Sequence, residues 1–166
     1  MDPKNFKKHM TGHWIAQSTH YSLTNIKASS CNFVNRIKWL NIKKPAQYLD
    51  SLSKENQIDL LLKDIYLYHI QLNNSIYKYG DYYIVLMINQ FNQAYLLKFD
   101  ISFKLINKFF IKEITEDYLC VLTSVNKYQV LQKIYFLNRH LKLIKVTIKD
   151  QQNYIGTSFT SEIRIS

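Results

Sequence analysis

The feature that most constrains the fold is a succession of short segments rich in apolar residues, from Tyr82 to the end of the chain, in several of which apolar and polar residues alternate. Alternation is the period of a half-buried β-strand, because successive side chains point to opposite faces. We predict strands over residues 82–90, 94–100, 104–113, 118–125, 128–138, 141–149 and 155–165. Short polar turns separate them, and no strand–helix repeat or glycine-rich phosphate loop is present. An all-β barrel or sandwich is therefore expected.

The first half of the chain adds three strands and two short helices to this prediction. Alternation predicts strands near residues 14–23, 33–39 and 65–72. Asp2-Pro3 and Gly12 can begin and end a short N-terminal helix. Helical spacing from Pro45 to about Leu62 predicts one or two further helical turns. We therefore expect one domain over residues 1–166, with about ten strands, a short N-terminal helix and one helix between early strands.

The charge balance is basic, with 22 Lys and Arg against 12 Asp and Glu and a net charge of +10. Such a balance favours an anionic partner. The abundance of Lys, Ile, Asn and Tyr also fits drift in an AT-rich coding genome such as that of an organelle. No block of consecutive Lys and Arg is present, so a nucleic-acid-binding barrel is supported by the net charge alone.

Several classes of protein are disfavoured by what the sequence lacks. It has no apolar run of 18 residues and no signal-peptide pattern at its start, so we expect neither a membrane span nor secretion. Cys31, Cys120 and the five His are scattered, which argues against a metal site or a disulfide scaffold. Motifs of serine hydrolases, zinc proteases and glycosidases are absent.

Gly12-His13-Trp14 at the start of the first strand is typical of lipocalin-like barrels. In such barrels Gly allows a sharp turn, Trp plugs the closed end, and an Arg of the last strand stacks on the Trp. Arg164 is the candidate for that contact, although a Trp can also belong to any β core. The 13 Tyr and 9 Phe suit a cavity for a flat, partly polar ligand, but composition and β propensity explain them equally well.

Three stretches together resemble the S/U-type phycobiliprotein lyases, lipocalin-like proteins that help attach linear tetrapyrrole bilins to cysteines of phycobiliproteins. They are GHWIAQSTHYSLTN (12–25), LQKIYFLNRHLKL (131–143) and SFTSEIRI (158–165). The family shows GxW-x-S-x-R-T/S-x-H-x-L early, ERIWFxxxNLRLR late and SFxSEIR at the end. The resemblance is thin between residues 49 and 81. Similar genes lie in plastid genomes of red algae and cryptophytes.

This chain departs from the family pattern at four positions. Gln132 replaces the Glu of ERIWF and Tyr135 replaces its Trp, while Lys142 and Ile144 replace the two Arg of NLRLR. Gln132 can form hydrogen bonds but supplies no charge, and Lys142 lacks the bidentate fork of Arg. Glu162 and Glu113 are candidates for the missing carboxylate.

The resemblance implies both the activity and the residues that carry it. Catalytic roles are expected for Gln132, Lys142 and Glu162, and bilin contacts for Gln132, Lys142, Tyr135, His20 and Arg164. The ligand would be a phycobilin, either phycocyanobilin or phycoerythrobilin, bound as substrate and not as a prosthetic group. The acceptor cysteine would belong to an apo-phycobiliprotein subunit in the plastid stroma.

Loss of the Glu and Arg positions favours an alternative, a non-catalytic bilin carrier with the same barrel. We expect no metal, nucleic acid or membrane partner, and a homodimer remains open. Because the closing stretch is read as the last strand of a barrel, its deletion should unfold the protein.

Overall fold

The computed structural model describes residues 8–40, 62–73, 81–89, 94–102, 104–151 and 153–166. A helical turn at residues 8–10 precedes the first strand. The described residues form ten antiparallel strands: β1 (Gly12–Ser22), β2 (Lys27–Leu40), β3 (Leu62–Asn73), β4 (Tyr82–Asn89), β5 (Ala94–Phe99), β6 (Leu105–Ile114), β7 (Tyr118–Val125), β8 (Tyr128–Asn138), β9 (Leu141–Asp150) and β10 (Asn153–Arg164).

The strands close into a barrel in which each strand pairs with its neighbours in sequence and β10 returns to pair with β1. The closing ladder runs from Trp14 opposite Arg164 to Ser22 opposite Gly156. Closure leaves no unpaired edge among these strands, so β10 completes the barrel and is held on both sides. The predicted all-β, lipocalin-like barrel of about ten strands is confirmed.

The predicted strand bounds agree closely with the structure in the second half of the chain. β7 and β8 have the predicted ends, and the turn at Asn126-Lys127 places Asn126 in left-handed backbone with φ 54°. β2 begins six residues earlier than predicted, at Lys27. The helix predicted from Pro45 lies outside the described residues, except that Leu62 begins β3. The predicted start of the N-terminal helix also lies outside them.

Inward-facing side chains become more exposed along the barrel, so one end is packed and the other is open. On β1, Trp14 is 0% exposed and Ser18 is 2% exposed, whereas His20 is exposed. On β8, Phe136 is 2% exposed and Gln132 is half-buried. The barrel therefore has a packed floor at the Trp14 end. Its open half lies toward the hairpins that join β1 to β2 and β9 to β10.

Strands β4 and β5 are buried on both faces, unlike β8, β9 and β10 on another side of the barrel. Leu86 and Leu96 point into the barrel, while Val85, Leu97 and Phe99 form a second cluster on the outward face. By contrast, the outward face of β8, β9 and β10 is exposed. The two sides of the barrel therefore present different surfaces, one apolar and covered, the other open to solvent.

Candidate functional site

The floor of the barrel is built around Trp14, whose side chain is fully buried. Its indole Nε1 donates a hydrogen bond to the carbonyl oxygen of Met10 at 3.2 Å, which ties the helical turn to β1. Two cations lie over its ring: Lys142 Nζ at 3.9 Å and the Arg164 guanidinium carbon at 4.6 Å from the centroid. The predicted contact between Arg164 and Trp14 is thus confirmed, and Lys142 adds a second cation–π contact that the sequence did not indicate.

Lys142 and Glu162 form an ion pair inside this floor. Lys142 Nζ lies 2.6 Å from Glu162 Oε2, and the two side chains are 3% and 5% exposed. Asn35 Nδ2 donates to Glu162 Oε1 at 3.1 Å. Burial lowers the pKa of Lys142, and the adjacent Glu162 carboxylate opposes part of that shift. Each charge is compensated only while the other is present.

Tyr82 and Lys98 extend the polar floor toward β4 and β5. Burial raises the pKa of the Tyr82 hydroxyl, and the negative charge of Glu162 raises it further. Lys98 Nζ lies 4.0 Å from the centroid of the Tyr82 ring, and burial lowers the pKa of this lysine. The interior thus contains several ionisable groups close together, and their burial makes the fold sensitive to the loss of any partner.

Gly12 is required where the helical turn meets the end of the chain. Its φ is +143°, and a Cβ there would lie 2.7 Å from Arg164 Nε and 3.1 Å from the carbonyl oxygen of Ser166. Arg164 Nη2 donates to the carbonyl oxygens of Lys8, at 2.6 Å, and Thr11. The last residues are therefore joined to the first described ones by side-chain and backbone contacts, and Gly12 provides the space.

The open half of the barrel has a polar wall and an apolar wall. Ser18 and Thr160 face it from β1 and β10, and Thr160 Oγ1 donates to Ser18 Oγ at 2.7 Å. The inward positions of β7, β8 and β9 are mainly apolar, as at Val121 and Val146. Gln132 lies opposite both of them in register, half-buried among these apolar neighbours. Such a lining suits a flat ligand with apolar faces and polar edges.

A hollow of about 540 Å³ lies at the mouth of the barrel, where the β1–β2 and β9–β10 hairpins meet. Its lining includes His20, Lys27, Ile148 and Ser158. Cys31 lies opposite Ser18 on β2, with Sγ 3.7 Å from His20 Nε2. We call the hollow lined by His20, Lys27, Ile148 and Ser158 the mouth hollow; Cys31 is not among its lining residues. The mouth hollow contains a basic side chain, an imidazole and apolar contact area within the size range of ligand pockets.

The structure brings some predicted site residues together and separates others. Lys142 and Glu162 are in contact, whereas Gln132 lies opposite Val146, four residues along β9 from Lys142. At about 3.3 Å per residue this is roughly 13 Å, although both side chains point inward. Arg164 lies at the floor and His20 lies at the mouth.

Two predicted residues lie away from the interior. Tyr135 is 38% exposed on the outward face of β8 and packs against Tyr118, with ring centroids 5.0 Å apart. Glu113 is exposed on β6, opposite Cys120. Their expected roles remain predictions, and neither contributes to the open half of the barrel.

Sequence reasoning missed Asn35 and the proximity of Cys31 to His20. Both arise from the pairing of β1 with β2, which places Trp14 opposite Asn35 and His20 opposite Ser29, two residues from Cys31. The alternation of β1 was visible, but β2 was predicted too short to show this register. In the described part of the chain, no group of three or more His, Cys, Asp and Glu could hold a metal ion. Among the same residues, no helix is long and apolar enough to cross a membrane.

No protein-family model matches the sequence, and no curated protein matches it. Solved structures do match. The S-type phycobiliprotein lyase CPES from Guillardia theta aligns over 100% of this chain and 94% of its own, with a TM-score of 0.69 and 15% identity. The chain has the fold of an S-type phycobiliprotein lyase. Rv2717c from M. tuberculosis aligns over 98% and 96% of the two chains, with a TM-score of 0.45 and 7% identity.

The structural likeness agrees with the resemblance seen in the sequence. The three stretches that resemble the lyases, residues 12–25, 131–143 and 158–165, fold into β1, β8 with the start of β9, and β10. In the barrel these strands are consecutive neighbours, in the order β1, β10, β9 and β8. Segments far apart in the sequence therefore form one continuous wall and its floor.

Proposed function

We propose that this protein is a phycobiliprotein chromophore lyase, which binds a linear tetrapyrrole and assists its attachment to a cysteine of an apo-phycobiliprotein subunit. The observation that carries the proposal is the continuous wall of β1, β10, β9 and β8, in a barrel with the fold of an S-type lyase. The three stretches that resemble the lyases lie side by side in the barrel. This arrangement favours one ligand site shared by all three over three separate structural roles.

The open half of the barrel and the mouth hollow provide the bilin site in this proposal. Val121 and Val146 contact the faces of the pyrrole rings, while the amide of Gln132 hydrogen-bonds to a pyrrole or lactam group. Lys27 and His20 at the mouth face the two propionates, where charge-assisted hydrogen bonds are strongest.

The chemistry asked of the protein is mainly positioning. The acceptor thiol adds across the ethylidene group of the bilin: a C–S bond forms, the C=C bond becomes single, and the thiol proton ends on the neighbouring carbon. A lyase accelerates this step by holding one face of the ethylidene toward the thiol. Glu162 has one oxygen on Lys142 and the other on Asn35, so here it shapes the floor as a positioning residue.

A carrier that binds bilin without transferring it is the second candidate. Gln132 provides no carboxylate to stabilise a protonated, more electrophilic bilin, and both oxygens of Glu162 are engaged. Co-expression with a bilin source and apo-phycobiliprotein subunits separates the two functions. A lyase gives acid-stable covalent colour on the subunit, whereas a carrier gives only colour that dissociates on denaturation.

Two variants sharpen this experiment. Gln132→Glu restores the carboxylate of the family pattern and is expected to raise the rate of covalent transfer at least about tenfold, as a well-placed acid can. Cys31→Ser with Cys120→Ser is the matched control, because the reacting thiol belongs to the acceptor, and transfer should persist. Absence of any spectral change when phycocyanobilin or phycoerythrobilin is added to the wild type would contradict the proposal.

A further inference from the structure

A groove of about 500 Å³ runs along the outward face of β6 to β10, outside the barrel. Four lysines line it: Lys112, Lys133, Lys145 and Lys149. We call it the outer groove. No described acidic side chain lines it. The positive charge is therefore concentrated in the groove and does not only reflect the net charge of the chain. Like charges in a concave site create a positive potential there.

Two of these lysines repel each other across neighbouring strands, which destabilises the sheet. Lys133 on β8 and Lys145 on β9 are directly opposite each other in register. Like charges at directly opposite positions destabilise a sheet. The ion pairs among the described residues join His69 to Asp81, Lys127 to Asp150 and Lys142 to Glu162, so neither of these lysines is neutralised by one. An anionic partner would remove this repulsion.

Exposed aromatic rings give the outer groove apolar contact area beside the charges. Phe159 is 49% exposed and lies 5.4 Å from Lys145 Nζ, measured to the ring centroid. Tyr154 is 56% exposed and lies 4.3 Å from Lys149 Nζ. Exposed aromatic side chains are enriched at surfaces that bind other proteins, and the lysines beside them supply the charge.

The outer groove lies next to the mouth hollow. Thr157 of β10 lines both, and Leu23 and Tyr154 extend the groove to the hairpins at the open end of the barrel. A macromolecule bound in the groove would therefore lie beside the opening of the interior. A ligand held in the barrel and a group of the bound partner could then meet at the mouth.

We propose that the outer groove binds an acidic protein surface that presents carboxylates around one or two apolar side chains. Resting on the proposed function, that surface belongs to the acceptor subunit, whose cysteine is thereby brought to the mouth hollow. A second copy of this chain fits less well, because a two-fold interface would place Lys133 and Lys145 against the same lysines of the other copy. Such a juxtaposition of like charges costs affinity.

Lys133→Glu tests the proposal without weakening the fold. It converts the Lys133–Lys145 pair into an opposite-charge pair, so the melting temperature should stay equal or rise. Binding to separately purified apo-phycobiliprotein subunits should weaken at least about tenfold at low salt. Wild-type affinity should itself fall between about 50 and about 300 mM NaCl. Lys38→Glu, an equal charge change at an exposed position on β2, is the matched control and should change affinity less than about threefold.

Absorbance spectra with free phycocyanobilin separate this inference from the proposed function. If Lys133→Glu binds the bilin like the wild type but loses the subunit, the groove is supported. If Lys133→Glu binds the subunit as tightly as the wild type and the control Lys38→Glu do, the groove is not the docking site, even though the bilin activity stands. Tight wild-type binding of random-sequence RNA that Lys133→Glu abolishes, or a wild-type dimer that Lys133→Glu dissociates, would overturn the acidic protein as the occupant.

Discussion

The buried pair of Lys142 and Glu162 gives a quantitative prediction about stability. Lys142→Met removes one charge and leaves Glu162 4% exposed without its cation. Breaking a buried pair in this way costs about 3–5 kcal/mol in the free energy of unfolding. The lost cation–π contact with Trp14 adds about 0.5–2 kcal/mol. For a chain of this size, the pair term alone lowers the melting temperature by about 6–20 °C.

A double-mutant cycle separates the ion pair from the other contacts of Lys142. The double variant Lys142→Met, Glu162→Gln removes both charges but keeps an oxygen that accepts the hydrogen bond from Asn35. We expect it to be destabilised by only about 0.5–2 kcal/mol, chiefly through the lost contact between Lys142 and Trp14. The coupling energy should therefore exceed about 2 kcal/mol. Urea unfolding followed by far-ultraviolet circular dichroism measures each variant.

The control for this cycle is Lys145→Met, an outward-facing lysine of the same strand. It should change stability by less than about 0.5 kcal/mol, because relief of its repulsion with Lys133 and loss of its contact with Phe159 oppose each other. The reasoning is refuted if Lys142→Met unfolds within about 1 kcal/mol of the wild type. It is equally refuted if the double variant is no more stable than Lys142→Met, because the two charges would then not compensate each other.

Three further perturbations test the floor and the closure of the barrel. Gly12→Ala forces a Cβ to within 2.7 Å of Arg164 Nε at a positive φ, so thermal unfolding should show a loss above about 1 kcal/mol. Deletion of residues 158–166 removes most of β10 and unpairs β1 and β9; a cooperative unfolding transition in the truncated chain would contradict this closure. The raised pKa of Tyr82 keeps its hydroxyl neutral in the folded state, whereas the unfolded tyrosine ionises at its ordinary pKa of 10.0, so stability should fall as pH rises past that value. Tyr82→Phe should lose less stability than the wild type between about pH 8 and about pH 11, measured by urea unfolding.

The sequence was informative wherever structure depends on neighbouring residues. Both ends of β7 and of β8 were predictable, because short polar turns such as Asn126-Lys127 bound each run of strand-forming residues. Alternation placed Ser158, Thr160 and Glu162 on one face of β10, and all three are buried. The contact between Arg164 and Trp14 was also predictable, because a motif typical of closed barrels was present at both ends of the chain.

The candidate site was only partly predictable, because its residues depend on register between strands. The sequence indicated that Gln132 and Lys142 lie on adjacent antiparallel strands, but not whether they share a face. The β8–β9 ladder turns both inward and leaves Lys142 opposite Phe136, far along the barrel from Gln132. One residue of slip would have turned one of these two side chains to the outside.

The sequence by itself determined the class of fold, the strand that closes the barrel and the faces of most strands, since these follow from local alternation and from turn residues. Tertiary structure alone decided that Glu162 is paired with Lys142, that Asn35 completes the pair and that Cys31 approaches His20. It also decided that Lys133 and Lys145 oppose each other at the surface. The physical reason is that a side chain's face is set by its own strand, whereas its partner is set by the register of a strand formed elsewhere in the chain.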